Sequence, residues 1–442
     1  MCIRDRFRAG SGFLFARLYH TADGLIMIEE GYVLRGMALV AVTGVGLLPG
    51  QAPGRGKRTV TDAEVRRVHA GAILIDTHND ITSRTVAGLD IGAPHADTHT
   101  DLARMKRGGM GAQFFAVFVA ASYTEGNRAA NRTLEMIDTV KHDIVARYPR
   151  DFELATTAED IRRIHREHKI AALMGIEGGH AIEDSLRLVR SFYDLGVRYM
   201  TLTHANSNHW ADSSGDPNQP NHGLSGFGKD VVREMNRLGM IVDISHVSDK
   251  TFWDVLETSE APVFASHSSC RAVSDVPRNM TDEMIAALAK KGGVIQINFA
   301  CEFLNPDAAA GAGARNEKLR PMLAELRRKY ATDPEGREKA EEEARRSVAD
   351  PRIHATLADV VKHINHVVDI AGIDAVGLGS DFDGVDCVPD ELNGVDKWPN
   401  LTRALLEEGY TRADIFKIYG ENTLRIMTQV ERVAASLQSK GK

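Results

Sequence analysis

The chain has 442 residues, of which 43% are hydrophobic and 26% are charged, a composition that is ordinary for a globular enzyme. Its formal net charge of −7 excludes the basic face that nucleic-acid binding requires, so we expect no nucleic-acid partner. The length suits two domains or one large α/β barrel with insertions.

Residues 1–59 differ from the rest of the chain and are predicted to form an N-terminal extension. Within it, the apolar segment 36–50 is too short to span a membrane comfortably but fits the apolar core of an export signal. Its positive flank is weak, because Glu29 and Glu30 stand just upstream. The segment favours an exported or periplasmic protein over a cytoplasmic one. The alternatives are a disordered extension and residues that do not belong to the native protein.

From Val60 onward, short apolar runs alternate with longer amphipathic stretches, beginning with a helix that Thr61 is placed to cap. Eight runs are candidate strands: 72–76, 112–120, 170–176, 197–203, 240–245, 262–267, 293–299 and 375–380. This alternation predicts a parallel sheet, and eight repeats predict an α/β fold of the (β/α)8 TIM-barrel type over 60–430. A doubly wound open sheet is the alternative, but no G-x-G-x-x-G follows the first strand.

A densely charged segment, 305–350, interrupts the repeat between strands seven and eight. It predicts a helical insertion with i,i+4 ion pairs on a solvated face. The functional alternative is that the insertion covers the mouth of the barrel. Residues 431–442 are predicted to form a polar C-terminal tail, and because they are not hydrophobic we expect no lipid anchor.

The four cysteines show neither a CxxC pair nor the spacing of a disulfide scaffold. They are Cys2, Cys270, Cys301 and Cys387. The pattern predicts buried free thiols and says little about the redox compartment.

Polar side chains follow six of the eight predicted strands. They are His78 and Asp80, Glu177, His204, His246, His267, and finally Asp381 with Asp383. Each alone is compatible with a hydrogen-bonded loop position, and "SDFDG" alone with an Asx turn or a calcium-like loop. Together they fall at the carboxyl ends of their strands, which is the catalytic face of a barrel. The pattern therefore predicts one polar site.

The residue types at these positions predict a metal site. Imidazole and carboxylate ligands suit borderline divalent ions, with zinc the leading choice and manganese, cobalt or iron as alternatives. His78 and Asp80 are two residues apart, so an extended backbone directs both toward one ion. Three histidines and two carboxylates exceed what one tetrahedral ion needs and match two ions that share Glu177. Such a pair polarises a water between the ions into a nucleophile, so the predicted chemistry is hydrolytic.

Seven motifs in this order resemble the membrane (renal-type) dipeptidases, peptidase family M19 of the amidohydrolase-like metal-dependent hydrolases. They are "IDTHNDI", "GIEGGHAI", "LTHANSNHWADS", "DISHVS", "SHSSCRAVSDVPRNMTD", "VGLGSDFDGV" and "IYGENTLRIM". The resemblance runs from about Thr61 to Met427 and implies a binuclear zinc site. His78, Asp80 and a bridging Glu177 would hold one Zn²⁺, and Glu177, His246 and His267 the other.

The resemblance also implies roles at the substrate. His204 would face the substrate and stabilise the oxyanion, and Arg278 would bind the terminal carboxylate with its planar fork. Asp381 would take a proton from the attacking water and pass it to the leaving amine. Asp383 is expected to structure its loop. Further histidines near the mouth, each a lesser candidate for substrate contact, are His180, His209 and His222.

The predicted function is a zinc-dependent dipeptidase, a metallopeptidase that hydrolyses free dipeptides through a metal-bridging hydroxide, including those with a C-terminal D-residue. The resemblance implies a homodimer. One alternative is a related binuclear amidohydrolase that acts on a non-peptide amide or lactone, including β-lactams. A phosphotriesterase-like site is disfavoured because strand three offers Glu177 and no nearby lysine. The other alternative, an inactive metal-binding homologue, is disfavoured because every ligand and the proton carrier are present.

Overall fold

The computed structural model describes residues 56–348 and 350–440, together with four three-residue strands before residue 29. The chain divides into two units, Met1–Gly50 and Gln51–Lys442. In the first unit, two antiparallel pairs form: Phe7–Ala9 with Gly12–Leu14, and Leu18–His20 with Ile26–Ile28. The candidate export segment, 36–50, and Cys2 lie outside the described residues.

Eight parallel strands form the main sheet of the second unit. They are β1 (Leu74–Asn79), β2 (Met110–Phe118), β3 (Ile170–Glu177), β4 (Val197–Thr201), β5 (Ile241–Asp243), β6 (Phe264–Ser268), β7 (Val294–Ile297) and β8 (Val376–Leu378). They are hydrogen-bonded in chain order, and a parallel bridge between Asn79 and Phe382 brings β8 back to β1. The predicted (β/α)8 barrel is confirmed.

One further strand, Phe152–Leu154, pairs in parallel with the start of β3 and lies off the barrel path. The sequence pattern does not predict it, because three residues are too few to show a run or an alternation.

Helices connect the strands around the outside. They are α1 (Asp62–His69), α2 (Thr82–Thr85), α3 (Leu102–Arg107), α4 (Ala129–Asp138), α5 (Ala158–Arg166), α6 (Leu186–Asp194), α7 (Gly226–Leu238), α8 (Asp249–Thr258), α9 (Asp282–Lys290), α10 (Cys301–Leu304), α11 (Pro306–Lys329), α12 (Pro334–Ser347), α13 (Leu357–Ala371), α14 (Trp398–Glu407), α15 (Arg412–Phe416) and α16 (Asn422–Lys440). The predicted cap of α1 is confirmed, because Thr61 Oγ1 accepts from Glu64 N at 3.2 Å.

Shorter helical segments complete the fold. Two π-helical segments, Thr139–Ala146 and Lys417–Glu421, continue α4 and α15. Four 3₁₀ turns are Ala121–Thr124, Gly179–Ile182, Ile373–Ala375 and Asp390–Leu392. Those after β2 and β3 lie at the carboxyl ends of their strands, where the polar groups converge.

The charged insertion at 305–350 is helical, as predicted, and contains α11 and α12. It contains an i,i+4 ion pair, Glu341 with Arg345 at 3.6 Å. It also reaches the loop after β2, where Arg337 Nη1 lies 3.1 Å from Glu125 Oε1. Arg337 is 9% exposed, so this contact is part of a packed surface. Helix α12 therefore packs on a loop of the catalytic face.

Cys301 and Cys387 form a disulfide, so the expectation of free thiols is wrong at these two positions. Their Cα atoms lie 5.5 Å apart although 86 residues separate them. Cys301 begins α10 after β7, and Cys387 follows β8. Because these two strands are neighbours, the barrel brings together cysteines that no short spacing relates. Cys270 is free and buried, as predicted.

Aromatic side chains fill the barrel beneath the carboxyl ends of the strands. The ring of Tyr199 lies with its centroid 5.3 Å from those of Phe114 and Phe264, and all three residues are fully buried. Packed layers of this kind make the interior of a small barrel a solid support for the groups above it. Within the described residues, no helix is both long enough and apolar enough to cross a membrane.

Candidate metal centre

Closure of the barrel places His78, Asp80 and Asp381 side by side. His78 O accepts a hydrogen bond from Asp381 N at 3.1 Å, and Asp80 N donates to Phe382 O at 2.8 Å. His78 Nε2 lies 3.2 Å from Asp80 Oδ2 and 4.0 Å from Asp381 Oδ1. The ends of the first and last strands thus supply three polar groups to one point.

Glu177, the last residue of β3, directs its two carboxylate oxygens to different histidines. Its Oε2 lies 3.4 Å from His78 Nε2. Its Oε1 lies 3.0 Å from His246 Nε2 and 3.2 Å from His267 Nε2. The residue is 4% exposed, so these contacts are shielded from water. One carboxylate therefore joins two sets of nitrogen ligands.

His246 and His267 converge from neighbouring strands, with their Nε2 atoms 2.9 Å apart. His246 has φ 65°, a left-handed conformation that costs energy for a residue with a side chain and that concentrates at functional sites.

Among the described residues, three sets of groups place their ligand atoms within 4.8 Å of one another. They are His78 with Asp80 and Glu177, Glu177 with His204 and His246, and His78 with His267 and Asp381.

The electrostatics at this point favour a cation. Burial opposes the negative charge of Glu177, yet the surrounding imidazoles, led by His78, hold its pKa well below the usual range. Burial also opposes the charged form of His78, but Tyr199, Glu177 and Asp80 raise the pKa of His78 well above its ordinary value. The metal-free protein thus favours a proton where a metal ion would bind, and metal binding would displace that proton.

The pKa values of His246 and His267, which contact the other oxygen of Glu177, shift in the opposite direction to that of His78. Burial, followed by the positive charge of Arg278, lowers the pKa of His246 well below its ordinary value. Burial, with His78 and Arg278 adding to it, does the same to the pKa of His267. Both imidazoles are therefore neutral at pH 7, and a neutral imidazole can donate a nitrogen lone pair to a metal.

The residues fit a metal ion. His78 Nε2 and Asp80 Oδ2 are buried and have no hydrogen-bond partner among the described residues, whereas buried polar atoms are normally satisfied. A cation held between these two atoms would satisfy both. Imidazole and carboxylate groups at these separations are the donor set of zinc and similar divalent ions.

His204 lies beside this cluster at the mouth. Its Nε2 is 3.7 Å from Glu177 Oε1, and its ring meets that of Phe118 edge to face, with the centroids 4.8 Å apart. Burial lowers the pKa of His204, so the imidazole is neutral. Its side chain is 27% exposed, which leaves one edge open to an incoming molecule. A neutral imidazole in this position can donate a hydrogen bond to developing negative charge.

Arg278 is a half-buried cation held by neutral acceptors. Its Nη1 donates to Ser268 Oγ and its Nη2 to His267 O, each at 2.7 Å, and Phe303 lies under the guanidinium at 5.5 Å. Its Nε atom is buried and has no hydrogen-bond partner in the part of the chain that the structure describes. Burial lowers the pKa of Arg278 to about 10, which still leaves it charged at pH 7. The group is positioned to receive an anion.

Asp381 combines a strained backbone with a shifted pKa. Its φ is 64°, again in the left-handed region. Burial, together with the charges of Asp80 and Glu177, raises the pKa of Asp381 to about 7, although the positive charge on His78 opposes the shift. A carboxyl group with such a pKa can both accept and release a proton near neutral pH.

Asp383 lies outside the three sets, in line with a loop-structuring role. Its Oδ1 accepts from His99 N at 2.7 Å, and its own N donates to His99 Nδ1 at 2.9 Å. The further histidines also lie outside the three sets. His180 Nε2 lies 2.7 Å from the Val119 carbonyl, His209 pairs with Asp184 at 2.6 Å, and His222 is exposed.

Two residues that contact the cluster are not identified by the sequence pattern. Asn298 hydrogen-bonds Asp381 and stands just after β7, a strand end to which no candidate is assigned. Applying the strand-end rule to every strand would have found it. Tyr199 hydrogen-bonds His78 from the middle region of β4, where an aromatic residue is indistinguishable from core.

Comparisons with known proteins match most of the chain. A family model described as membrane dipeptidase, peptidase family M19, matches residues 62–441. An uncharacterized dipeptidase of Schizosaccharomyces pombe is 35% identical over 381 residues, which cover 82% of each chain.

Solved structures share the fold. A probable dipeptidase of Pseudomonas aeruginosa, PvdM, superposes with a TM-score of 0.71 at 26% identity, over 84% of this chain and 98% of its own. A metallopeptidase from Rhodobacter sphaeroides, solved with a phosphinate mimic of the dipeptide L-Ala-D-Ala, gives a TM-score of 0.66 at 26% identity, over 81% and 99%.

Proposed function

The chain belongs to the membrane dipeptidase family, peptidase family M19, and from that premise we propose that it hydrolyses free dipeptides with two zinc ions per chain. The observation that carries the proposal is the orientation of Glu177. One of its oxygens faces His78 and the other faces His246 and His267. A carboxylate that has two separate sets of ligand nitrogens on its two oxygens is suited to bridging two ions.

The proposed ligands divide into two groups that share Glu177. His78 and Asp80 would hold one ion, and His246 with His267 the other. Two ions so placed would supply Lewis acidity for the scissile carbonyl and an activated water as nucleophile. The barrel contributes fixed positions for the ligands, since each stands at or just beyond a strand end.

The remaining residues orient the substrate and handle protons. Arg278 would bind the terminal carboxylate of the dipeptide with its half-buried guanidinium. His204 would donate a hydrogen bond to the carbonyl oxygen as negative charge develops there. Asp381 would accept a proton from the attacking water and deliver it to the leaving amine, because its Oδ1 lies beside the proposed ligands, 4.0 Å from His78 Nε2.

We further propose that a C-terminal D-residue is accepted. Support comes from the Rhodobacter sphaeroides neighbour, which was solved with a mimic of L-Ala-D-Ala. In the proposed binding scheme, the contacts are made to the terminal carboxylate and the scissile carbonyl. These contacts do not depend on whether the C-terminal residue has the L or the D configuration.

A substrate panel on metal-depleted and zinc-loaded protein tests the function. The panel contains L-Ala-L-Ala, L-Ala-D-Ala, their N-acetyl and C-amide derivatives, and a β-lactam. We expect cleavage of the free dipeptides only after zinc is restored, two zinc ions per chain by elemental analysis, and poor cleavage of the amides. Protein that binds two ions yet cleaves no free dipeptide would contradict the proposal, and cleavage of the β-lactam alone would favour a non-peptide substrate.

We also propose that the protein works in an oxidising compartment. The Cys301–Cys387 disulfide supports this, because disulfides persist in exported proteins and are rare in the cytosol. Fractionation of bacteria that express the full chain, with N-terminal mass analysis, tests it. We expect exported protein that begins after the apolar segment 36–50. Intact cytoplasmic protein with free thiols at both positions would contradict export.

A further inference from the structure

A buried tyrosine hydroxyl contacts one of the proposed metal ligands. Tyr199 Oη lies 2.7 Å from His78 Nδ1 and 3.1 Å from the carbonyl oxygen of Thr77. A phenol has one proton, and a carbonyl oxygen can only accept. The Tyr199 proton therefore points to Thr77 O, and its oxygen accepts a hydrogen from His78 Nδ1. His78 must then be protonated on Nδ1, which directs Nε2 to the metal position.

A second hydroxyl makes the corresponding contact on the other side. His267 Nδ1 lies 2.7 Å from Ser266 Oγ, and Ser266 Oγ donates to Asp243 Oδ2 at 2.6 Å. Because the serine proton is used on the carboxylate, its oxygen accepts from His267 Nδ1. The Nε2 atom of His267 is again the one left for a metal.

Both hydroxyls are held in place by the surrounding fold. Gly175 on β3 makes room for Tyr199, since a Cβ at that position would lie 1.9 Å from Tyr199 Cζ. Asp243 is fixed by the backbone amides of Ser245 and Ser266, which donate to its Oδ1 at 3.0 and 2.8 Å. Neither hydroxyl can move without disturbing the residues packed around it. The hydroxyls therefore fix the orientation of the imidazoles.

We propose that Tyr199 and the Asp243–Ser266 pair are positioning residues that hold His78 and His267, respectively, in the tautomer that ligates through Nε2. Each serves a different ion. The inference rests on the metal ligands assigned under the proposed function. Partners of this kind orient ligand imidazoles, and their removal typically lowers metal affinity by about 10- to 100-fold.

The decisive variant is Tyr199→Phe, which keeps the packed ring and removes only the hydroxyl. Tyr419→Phe is the matched control, because Tyr419 is also fully buried and its hydroxyl bonds Thr402 at 2.7 Å, away from the proposed ligands. Zinc affinity is measured on metal-free protein by competition with a chromophoric chelator, and melting temperature on the same metal-free samples. We expect Tyr199→Phe to weaken one of the two zinc-binding steps at least tenfold, with Tyr419→Phe unchanged.

Ser266→Ala tests the second contact in the same assay. We expect it to weaken the other zinc-binding step, and the double variant with Tyr199→Phe to weaken both. Wild-type zinc affinities in Tyr199→Phe and Ser266→Ala would overturn the proposal. An equal loss of zinc affinity in Tyr419→Phe would overturn it too, as would a loss in the same zinc-binding step for Tyr199→Phe and Ser266→Ala. Failure of the wild-type protein to bind two ions would instead contradict the ligand assignment, so the two failures are distinguishable.

Discussion

Asn298 Nδ2 donates a hydrogen bond to Asp381 Oδ2 at 2.8 Å, and this contact decides which carboxylate oxygen faces the proposed metal ligands. The amide cannot be reversed, because Asn298 Oδ1 accepts from Ala300 N. With Oδ2 engaged, Asp381 Oδ1 is the atom turned toward His78, 4.0 Å from its Nε2. The end of β7 thus orients the proposed proton carrier on β8.

Asp381→Asn should remove the proposed proton carrier while leaving the site assembled. The amide can still accept from Asn298 but cannot carry a proton between the water and the leaving amine. We expect kcat to fall about 100- to 10,000-fold, the usual contribution of a general acid–base group, with bound zinc unchanged by elemental analysis. Asp383→Asn is the control, because Asp383 lies outside the three sets of candidate ligands and its Oδ1 accepts from His99 N. A comparable fall in kcat for Asp383→Asn, or loss of zinc from Asp381→Asn, would contradict the role.

Arg278→Lys should mainly weaken substrate binding, because a lysine ammonium cannot reproduce the planar fork that clamps a carboxylate. We expect KM for a free dipeptide to rise about 10- to 100-fold with kcat little changed, as for a lost charge-assisted hydrogen bond of 1.5–3 kcal/mol. Steady-state kinetics on a dipeptide and its C-amide measures this. The wild-type preference for the free acid should shrink in the variant.

Arg271→Lys is the control for that experiment, since Arg271 makes a bidentate pair with Asp249, at 2.7 Å for both contacts, away from the proposed ligands. A collapse of kcat in Arg278→Lys at saturating substrate would reassign Arg278 to the chemical step. An equal rise of KM in Arg271→Lys would show that the effect is not specific to Arg278, and would contradict its proposed role in binding the carboxylate.

The lowered pKa of buried His363 predicts that the folded protein loses stability in acid. His363 is fully buried between two backbone groups, with Nδ1 accepting from Cys270 N and Nε2 facing Leu304 O, each at 3.0 Å. Burial lowers its pKa from 6.5 to about 4. The unfolded chain therefore binds the proton more tightly than the folded one. The contribution of neutral His363 to the free energy of unfolding is therefore fully present above pH 6.5. Up to about 3 kcal/mol of it is lost as the pH falls toward 4.

Urea unfolding of metal-free wild type and His363→Asn between pH 7.5 and 4 measures this contribution, because acid effects from all other groups are common to both proteins. We expect the stability difference between the two proteins to shrink as the pH falls through this range. Parallel pH curves would show that His363 does not titrate differently in the folded and unfolded states.

The disulfide predicts a redox-dependent stability. Cys301 N also donates to Cys387 O at 3.1 Å, so the bond joins two segments that are already paired, the start of α10 and the loop after β8. Replacing both cysteines by serine should lower the free energy of unfolding by about 2–4 kcal/mol, because the unfolded chain is no longer cross-linked. Thermal unfolding with and without reductant measures the loss, and Cys270→Ala should leave its size unchanged. Alkylation of both cysteines in non-reduced protein would contradict the bond.

The eight strands and the site residues at their ends could be predicted because they depend on local patterns. A strand shows itself as a short apolar run, and the parallel barrel places every carboxyl end on one face. His78, Glu177 and His267 needed nothing more to be brought into one candidate site. The small strand Phe152–Leu154 lacks such a pattern and could not be predicted.

Local sequence patterns were enough to identify the chemical groups that converge, since strand period and strand ends are properties of short segments. The way in which those groups contact one another depends on the folded barrel. The pairing of Cys301 with Cys387, the orientation of Asp381 by Asn298, and the contact of Tyr199 with His78 join residues that are 86, 83 and 121 positions apart. Hydrogen-bond direction and disulfide pairing depend on distances of a few ångströms between such residues, and the barrel sets those distances only when its strands close.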